Sequence, residues 1–168
     1  MGGTRKARRL NHIDTSFVGM RFPDLVAEID KTMITRFAQA IGETDPIHFD
    51  EAAAKAAGYP SLPAPMTFPI ALKSMAYALP GGDNVLAQLF ARMGVDTLNM
   101  LHGEQDIRSN RPLCAGETVT IRGVFESIDN KPERNMTVIR ETTTLTGADG
   151  EVIAEMSAAY VVRHPKLS

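Results

Sequence analysis

The stretch Met66-Thr67-Phe68-Pro69-Ile70-Ala71-Leu72-Lys73-Ser74-Met75-Ala76-Tyr77-Ala78-Leu79, closed by Pro80-Gly81-Gly82, decides how the rest of the chain is read. Pro60, Pro63 and Pro65 exclude regular structure just before it, and the Pro-Gly-Gly run stops it, so a helix is predicted over 66–79. Phe68, Ile70, Ala71, Leu72, Met75, Ala76, Tyr77 and Leu79 leave only Lys73 and Ser74 clearly polar. A helix apolar on most sides is wrapped by its neighbours rather than laid on a surface. It needs a curved apolar partner.

That partner lies downstream. In Thr118 to Phe125 the apolar Val119, Ile121 and Phe125 alternate with Thr118, Thr120 and Arg122. In Glu151 to Arg163 the even positions Val152, Ala154, Met156, Ala158, Tyr160 and Val162 form one apolar face. Met136 to Thr146 is Thr-rich and β-branched, and Gly147-Ala148-Asp149-Gly150 joins it to the last run as a hairpin turn. With Leu98 to Arg111 these make four long strands on short connections, which favours antiparallel pairing. The expected class is α+β, a long antiparallel sheet wrapped around one central helix.

Upstream, Leu25 to Ile29 reads as a short strand. Asp30 can cap a helix bearing Met33, Ile34, Phe37, Ala38 and Ile41, which Gly42 ends. Asp50 can cap a second, Ala-rich helix, Glu51 to Ala57, closed by Gly58. Residues 1–14, with Arg5, Lys6, Arg8 and Arg9, are expected to be a flexible basic tail, and residues 15–168 a single domain.

The 168 residues are 43% hydrophobic and 23% charged, as in an ordinary globular chain with one core. Lys and Arg number 18 against 20 Asp and Glu, so the net charge of −2 gives no basic field to gather nucleic acid. No apolar run approaches the roughly 18 residues of a membrane helix, so no membrane partner is expected. The single cysteine, Cys114, has no partner for an intrachain disulfide and joins no thiol cluster. A cytoplasmic location and no metal are the expectations.

Groups able to move protons near neutral pH concentrate in Gly42-Glu43-Thr44-Asp45-Pro46-Ile47-His48-Phe49-Asp50, a loop between two helices. A carboxylate beside an imidazole can orient the ring or, with it, grip one water, and histidine's ordinary pKa of about 6.5 suits proton transfer. On spacing alone, a capped, hydrogen-bonded structural loop is the commoner arrangement.

The same residues carry a resemblance. Phe37-Ala38, Ala40 to Asp50, then Ala53, Gly58 and Ala64-Pro65 resemble the hydratase motif of the MaoC-like dehydratases, the (R)-specific enoyl-CoA hydratases. A second block, Leu101-His102-Gly103-Glu104-Gln105-Asp106 with Arg111-Pro112-Leu113 and Ala115-Gly116-Glu117, is similar to the N-terminal halves of two-domain MaoC-like enzymes. The likeness runs from about Phe17 to the end. It implies the hot-dog fold and a hydro-lyase that adds water to C3 of a trans-2-enoyl thioester, or runs the reverse elimination.

The family's catalytic histidine matches His48, and its aspartate falls on Glu43, which reaches about one methylene further. Asp45, where the family usually has asparagine, is the competing carboxylate. The developing enolate oxygen would meet the backbone N–H groups of Met66 and Thr67 at the start of the 66–79 helix. Pro65 and Pro69 have no N–H to offer, and many relatives carry glycine where this chain has Met66. No cofactor is implied. The expected partners are an acyl-CoA thioester, ahead of acyl carrier protein, and a second subunit in a homodimer or higher even assembly, because a lone sheet leaves open edges. Two alternatives stand beside this: a non-catalytic partner subunit of a heteromeric hydratase, and an acyl-CoA thioesterase of the same fold. His102 is read as structural or dimer-facing.

Overall fold

In the computed structural model, which describes residues 12–78 and 84–165, five strands make one antiparallel sheet in the order β1-β3-β4-β5-β2. They are β1 (Leu25–Glu28), β2 (Met100–Ser109), β3 (Thr118–Lys131), β4 (Met136–Gly147) and β5 (Val152–Arg163). The helices are α1 (Lys31–Ala40), α2 (Glu51–Ala56), α3 (Phe68–Ala76) and α4 (Val85–Arg92). Leu79, Pro80-Gly81-Gly82 and residues 1–11 of the expected tail lie outside the described residues. Ile13, assigned above to the tail, instead packs into the core and exchanges hydrogen bonds with the Asn130 side chain.

The two helix starts follow from their caps. Asp30 accepts from the N–H of Met33 at 2.9 Å and Asp50 from that of Ala53 at 2.7 Å, each meeting a donor the first turn leaves orphaned.

Val119, Ile121 and Phe125 are fully buried on the inner face of β3, as their alternation requires. The strand outruns the expected Phe125 boundary because a bulge between Phe125 and Ser127 moves the buried set from odd positions to Ile128. A bulge between Leu145 and Thr146 similarly buries Ile153 beside the even-numbered face of β5.

α3 lies against this face through Phe68 and Leu72, and Phe37 meets Phe68 edge-on at 5.4 Å. Its surroundings correct the expectation of an apolar helix covered on most sides: Met75 is 48% exposed and Ser74 is exposed, whereas Lys73 is buried. α4 was not anticipated. Asn84 caps it, and it packs Leu89 and Phe90 on the sheet, with Phe90 against Phe125 and Tyr160.

Candidate active site

Gly42, at φ +76°, turns the chain out of α1, and Glu43 N–H then bonds the Ala38 carbonyl at 2.9 Å. From there the Glu43 carboxylate folds back onto its own loop, accepting from the N–H of Thr44 at 2.9 Å and of Asp45 at 3.2 Å. Those two amides, Thr44 first, hold its pKa below the usual glutamate value. The Asp45 carboxylate accepts from Ile47 N–H at 3.1 Å and caps the short 3-10 turn Pro46–His48. Asp45 is thereby occupied in shaping the loop that presents His48.

His48 is buried, and its Nδ1 lies 2.8 Å from the Pro63 carbonyl oxygen. A carbonyl can only accept, so Nδ1 carries the proton and Nε2 is left to exchange one. No hydrogen bond joins Glu43 to His48, although the imidazole is near enough to add to the lowering of the carboxyl pKa.

Pro63 belongs to the segment that leads into α3. This segment is pinned to the β2–β3 connection by Ala64 N–H on the Leu113 carbonyl at 2.7 Å and Ala115 N–H on the Leu62 carbonyl at 2.9 Å. Arg111 locks that connection: it bonds both carboxylate oxygens of Glu117 at 3.1 and 2.7 Å and reaches Glu151 at 3.2 Å. Glu117 in turn accepts from Cys114 N–H at 2.7 Å. Cys114 is buried, and burial pushes its thiol pKa up, the opposite of a reactive cysteine.

Thr67 precedes α3 without a side-chain cap, and among the described residues no backbone or side-chain acceptor takes the N–H of Met66 or Thr67. A cavity of about 340 Å³ opens beside this helix end, lined by Ala64, Pro65, Met66, Ser109, Arg111 and Leu113 among others. Neither Glu43 nor His48 lines it; His48 is linked to it through Pro63. Among the described residues no three His, Cys, Asp or Glu side chains converge to hold a metal ion.

A second polar group lies further along α3, one that only the folded sheet assembles. Lys73 Nζ bonds Glu141 Oε1 of β4, and both side chains are almost wholly enclosed. The Tyr160 hydroxyl donates to the same oxygen at 3.1 Å. Burial first, and then the Glu141 charge, holds the hydroxyls of Tyr77 and Tyr160 protonated well beyond the usual tyrosine range. Only the isolated polar Lys73 in an apolar helix pointed this way.

Residues 16–156 match the family model described as FAS1-like, dehydratase domain region. The chain belongs to this family. A UPF0336 protein of Saccharopolyspora erythraea is 32% identical to the FAS1-like chain over 152 residues, 90% of this chain and 92% of that protein. A UPF0336 protein of Thermobifida fusca is 32% identical over 136 residues, covering 81% and 84%. Among solved structures, the HadBC (3R-hydroxyacyl-ACP dehydratase) complex of Mycobacterium tuberculosis superposes with TM-score 0.70 at 24% identity, covering 86% of this chain and 96% of that one. The (R)-hydratase PhaJ1 of Pseudomonas aeruginosa does so with TM-score 0.64 at 19% identity, covering 89% and 84%. A MaoC-like dehydratase of Rhodospirillum rubrum gives TM-score 0.65 at 21%, covering 89% and 94%. The chain therefore has the hot-dog fold that its motifs implied. No helix among its described residues is long and apolar enough to cross a membrane.

Proposed function

We propose that this chain reversibly hydrates a trans-2-enoyl thioester of coenzyme A to the 3-hydroxyacyl thioester. The observation that carries the reading is the pair of free amides, Met66 and Thr67, beside a cavity whose wall is tied to His48 through Pro63. The thioester carbonyl lies against these N–H groups, which stabilise negative charge as it develops on oxygen. Water held by Glu43 and His48 adds its oxygen to C3; one side chain takes the released proton and a proton is delivered to C2. The reverse sequence expels water. Glu43 meets the shared water by swinging its carboxylate off the Thr44 and Asp45 amides.

The neighbours' names favour this reaction type: one is called a (3R)-hydroxyacyl-ACP dehydratase and another an (R)-hydratase. They also make acyl carrier protein the alternative carrier.

Two observations favour a second reading, a non-catalytic subunit that shapes the site of a separate hydratase chain. The Glu43 carboxylate is engaged with its own loop and does not meet His48, and two structural neighbours, HadBC and ChsH1–ChsH2, are complexes of two named components. Either way a second subunit is expected, since β2 is an open sheet edge with Leu101 58% exposed.

Incubating the purified chain with crotonyl-CoA separates the readings. Loss of the conjugated-enone absorbance supports hydration and free thiol indicates a thioesterase. Neither signal, together with activity restored by a co-purifying subunit, supports the partner role.

A further inference from the structure

Two cavities lie beside α3, the edge strand β2 and β5. The register sets which residues of β2 face them: His102, Gln105, Ile107 and Ser109 stand opposite Tyr160, Ala158, Met156 and Ala154 of β5. His102 and Gln105 are three residues apart, and a regular strand would put them on opposite faces. The bulge between His102 and Glu104 brings both inward. His102 then stacks on the Tyr160 ring at 5.2 Å.

The cavity beside Met66 is bounded by Pro69 of α3, Ser109 of β2 and Ile153 of β5. A second cavity of about 140 Å³ is bounded by Lys73 of α3, Gln105 and His102 of β2 and Tyr160 of β5. The same three elements bound both, and the second lies further along α3 and further back along β2 than the first. Five residues of helical rise from Phe68 to Lys73 span about 8 Å, and Met66 stands two residues further back. Four residues of strand from Ser109 to Gln105 span about 13 Å. The two measures agree on a separation that an acyl chain of medium length can bridge.

At the far end stands an ion pair that stability alone does not account for, since buried pairs are commonly matched or bettered by apolar residues of similar volume. Lys73 gives one N–H to Glu141, and its ammonium has two more. Glu141 neutralises its charge, so the site favours a neutral oxygen over a second carboxylate. Gln105 and His102 add groups that both donate and accept.

Resting on the hydratase reading above, we infer that this second cavity receives the distal end of the acyl chain and selects one bearing a hydroxyl, bonded by Lys73 with Gln105 and His102 beside it.

Titration calorimetry of the full chain tests this with decanoyl-CoA, its terminally hydroxylated analogue and the analogue ending in a carboxylate. The hydroxylated ligand is expected to bind about tenfold more tightly than the plain one, the worth of one hydrogen bond to a charged group. In Lys73→Met/Glu141→Leu/Tyr160→Phe, which removes the pair without orphaning the tyrosine hydroxyl, the preference should vanish. Gln105→Leu, at an exposed position, should weaken it even if the triple variant does not fold. Equal affinities, tighter binding of the plain or carboxylate tail, or binding of none of the three overturns the inference. Crotonyl-CoA is too short to reach Lys73, so its hydration reports the underlying reaction separately.

Discussion

His48 Nδ1 sits 2.8 Å from the carbonyl oxygen of Pro63, which ties the imidazole to the segment that ends in the free amides of Met66 and Thr67. The proposed acid–base group and the proposed oxyanion donors thus share one support. His48→Ala should lower turnover of crotonyl-CoA by about a hundred- to ten-thousand-fold, as loss of a general acid or base does. The same substitution should cost about 1–3 kcal/mol of stability, read by urea denaturation, because it leaves the buried Pro63 carbonyl without its donor.

Glu43 and Asp45 should separate cleanly. Glu43→Gln removes the charge that would take a proton, and a loss of about a hundredfold or more in turnover is expected. Asn caps a turn as well as Asp does, so Asp45→Asn should keep nearly full activity, whereas Asp45→Ala should lose about 1 kcal/mol of stability. A severe loss of rate in Asp45→Asn would transfer the carboxylate role to Asp45.

The amides of Thr44 and Asp45 favour the charged form of Glu43, so its pKa is depressed and it stays ionised as pH falls through the ordinary glutamate value of about 4.3. The ratio of wild-type to Glu43→Gln rates should consequently stay flat from neutral pH down to about 5. A ratio that already collapses in that window would show a carboxyl with a raised pKa instead.

Gly123 lies under the Phe22 ring. A Cβ there would stand 2.2 Å from Phe22 Cδ2, and Phe22 is itself fixed against Phe125 at 4.7 Å. Gly123→Ala should destabilise the fold by about 1–3 kcal/mol, with part recovered on trimming the ring in Phe22→Leu. Chemical denaturation of the two single variants and the double variant measures the coupling.

What was legible in the sequence is what local chemistry dictates. Asp30 and Asp50 announced their helices as caps, and Val119 and Ile121 announced a face by alternation. Phe125 misled as a boundary because the bulge after it moves the buried set by one position, which erases a period-two signal without ending the strand. α4 was missed although Asn84, Leu86, Leu89, Phe90 and Gly94 carry a cap, a helical spacing and a stop; its place between the central helix and the first long strand hid it. At the site, the spacing of Glu43 and His48 was visible, but the Pro63 anchor and the turning of Glu43 onto its own amides depend on tertiary placement. Lys73 was seen as polar, yet Glu141 is 68 residues away and only the folded sheet brings it there.

A double-mutant cycle on crotonyl-CoA hydration probes the centre of the account. If Glu43 and His48 grip one water, groups acting as a unit lose their effect together. Glu43→Gln/His48→Ala should then fall no further than the worse single variant. Losses that multiply, or single variants as fast as wild type, would contradict a shared water.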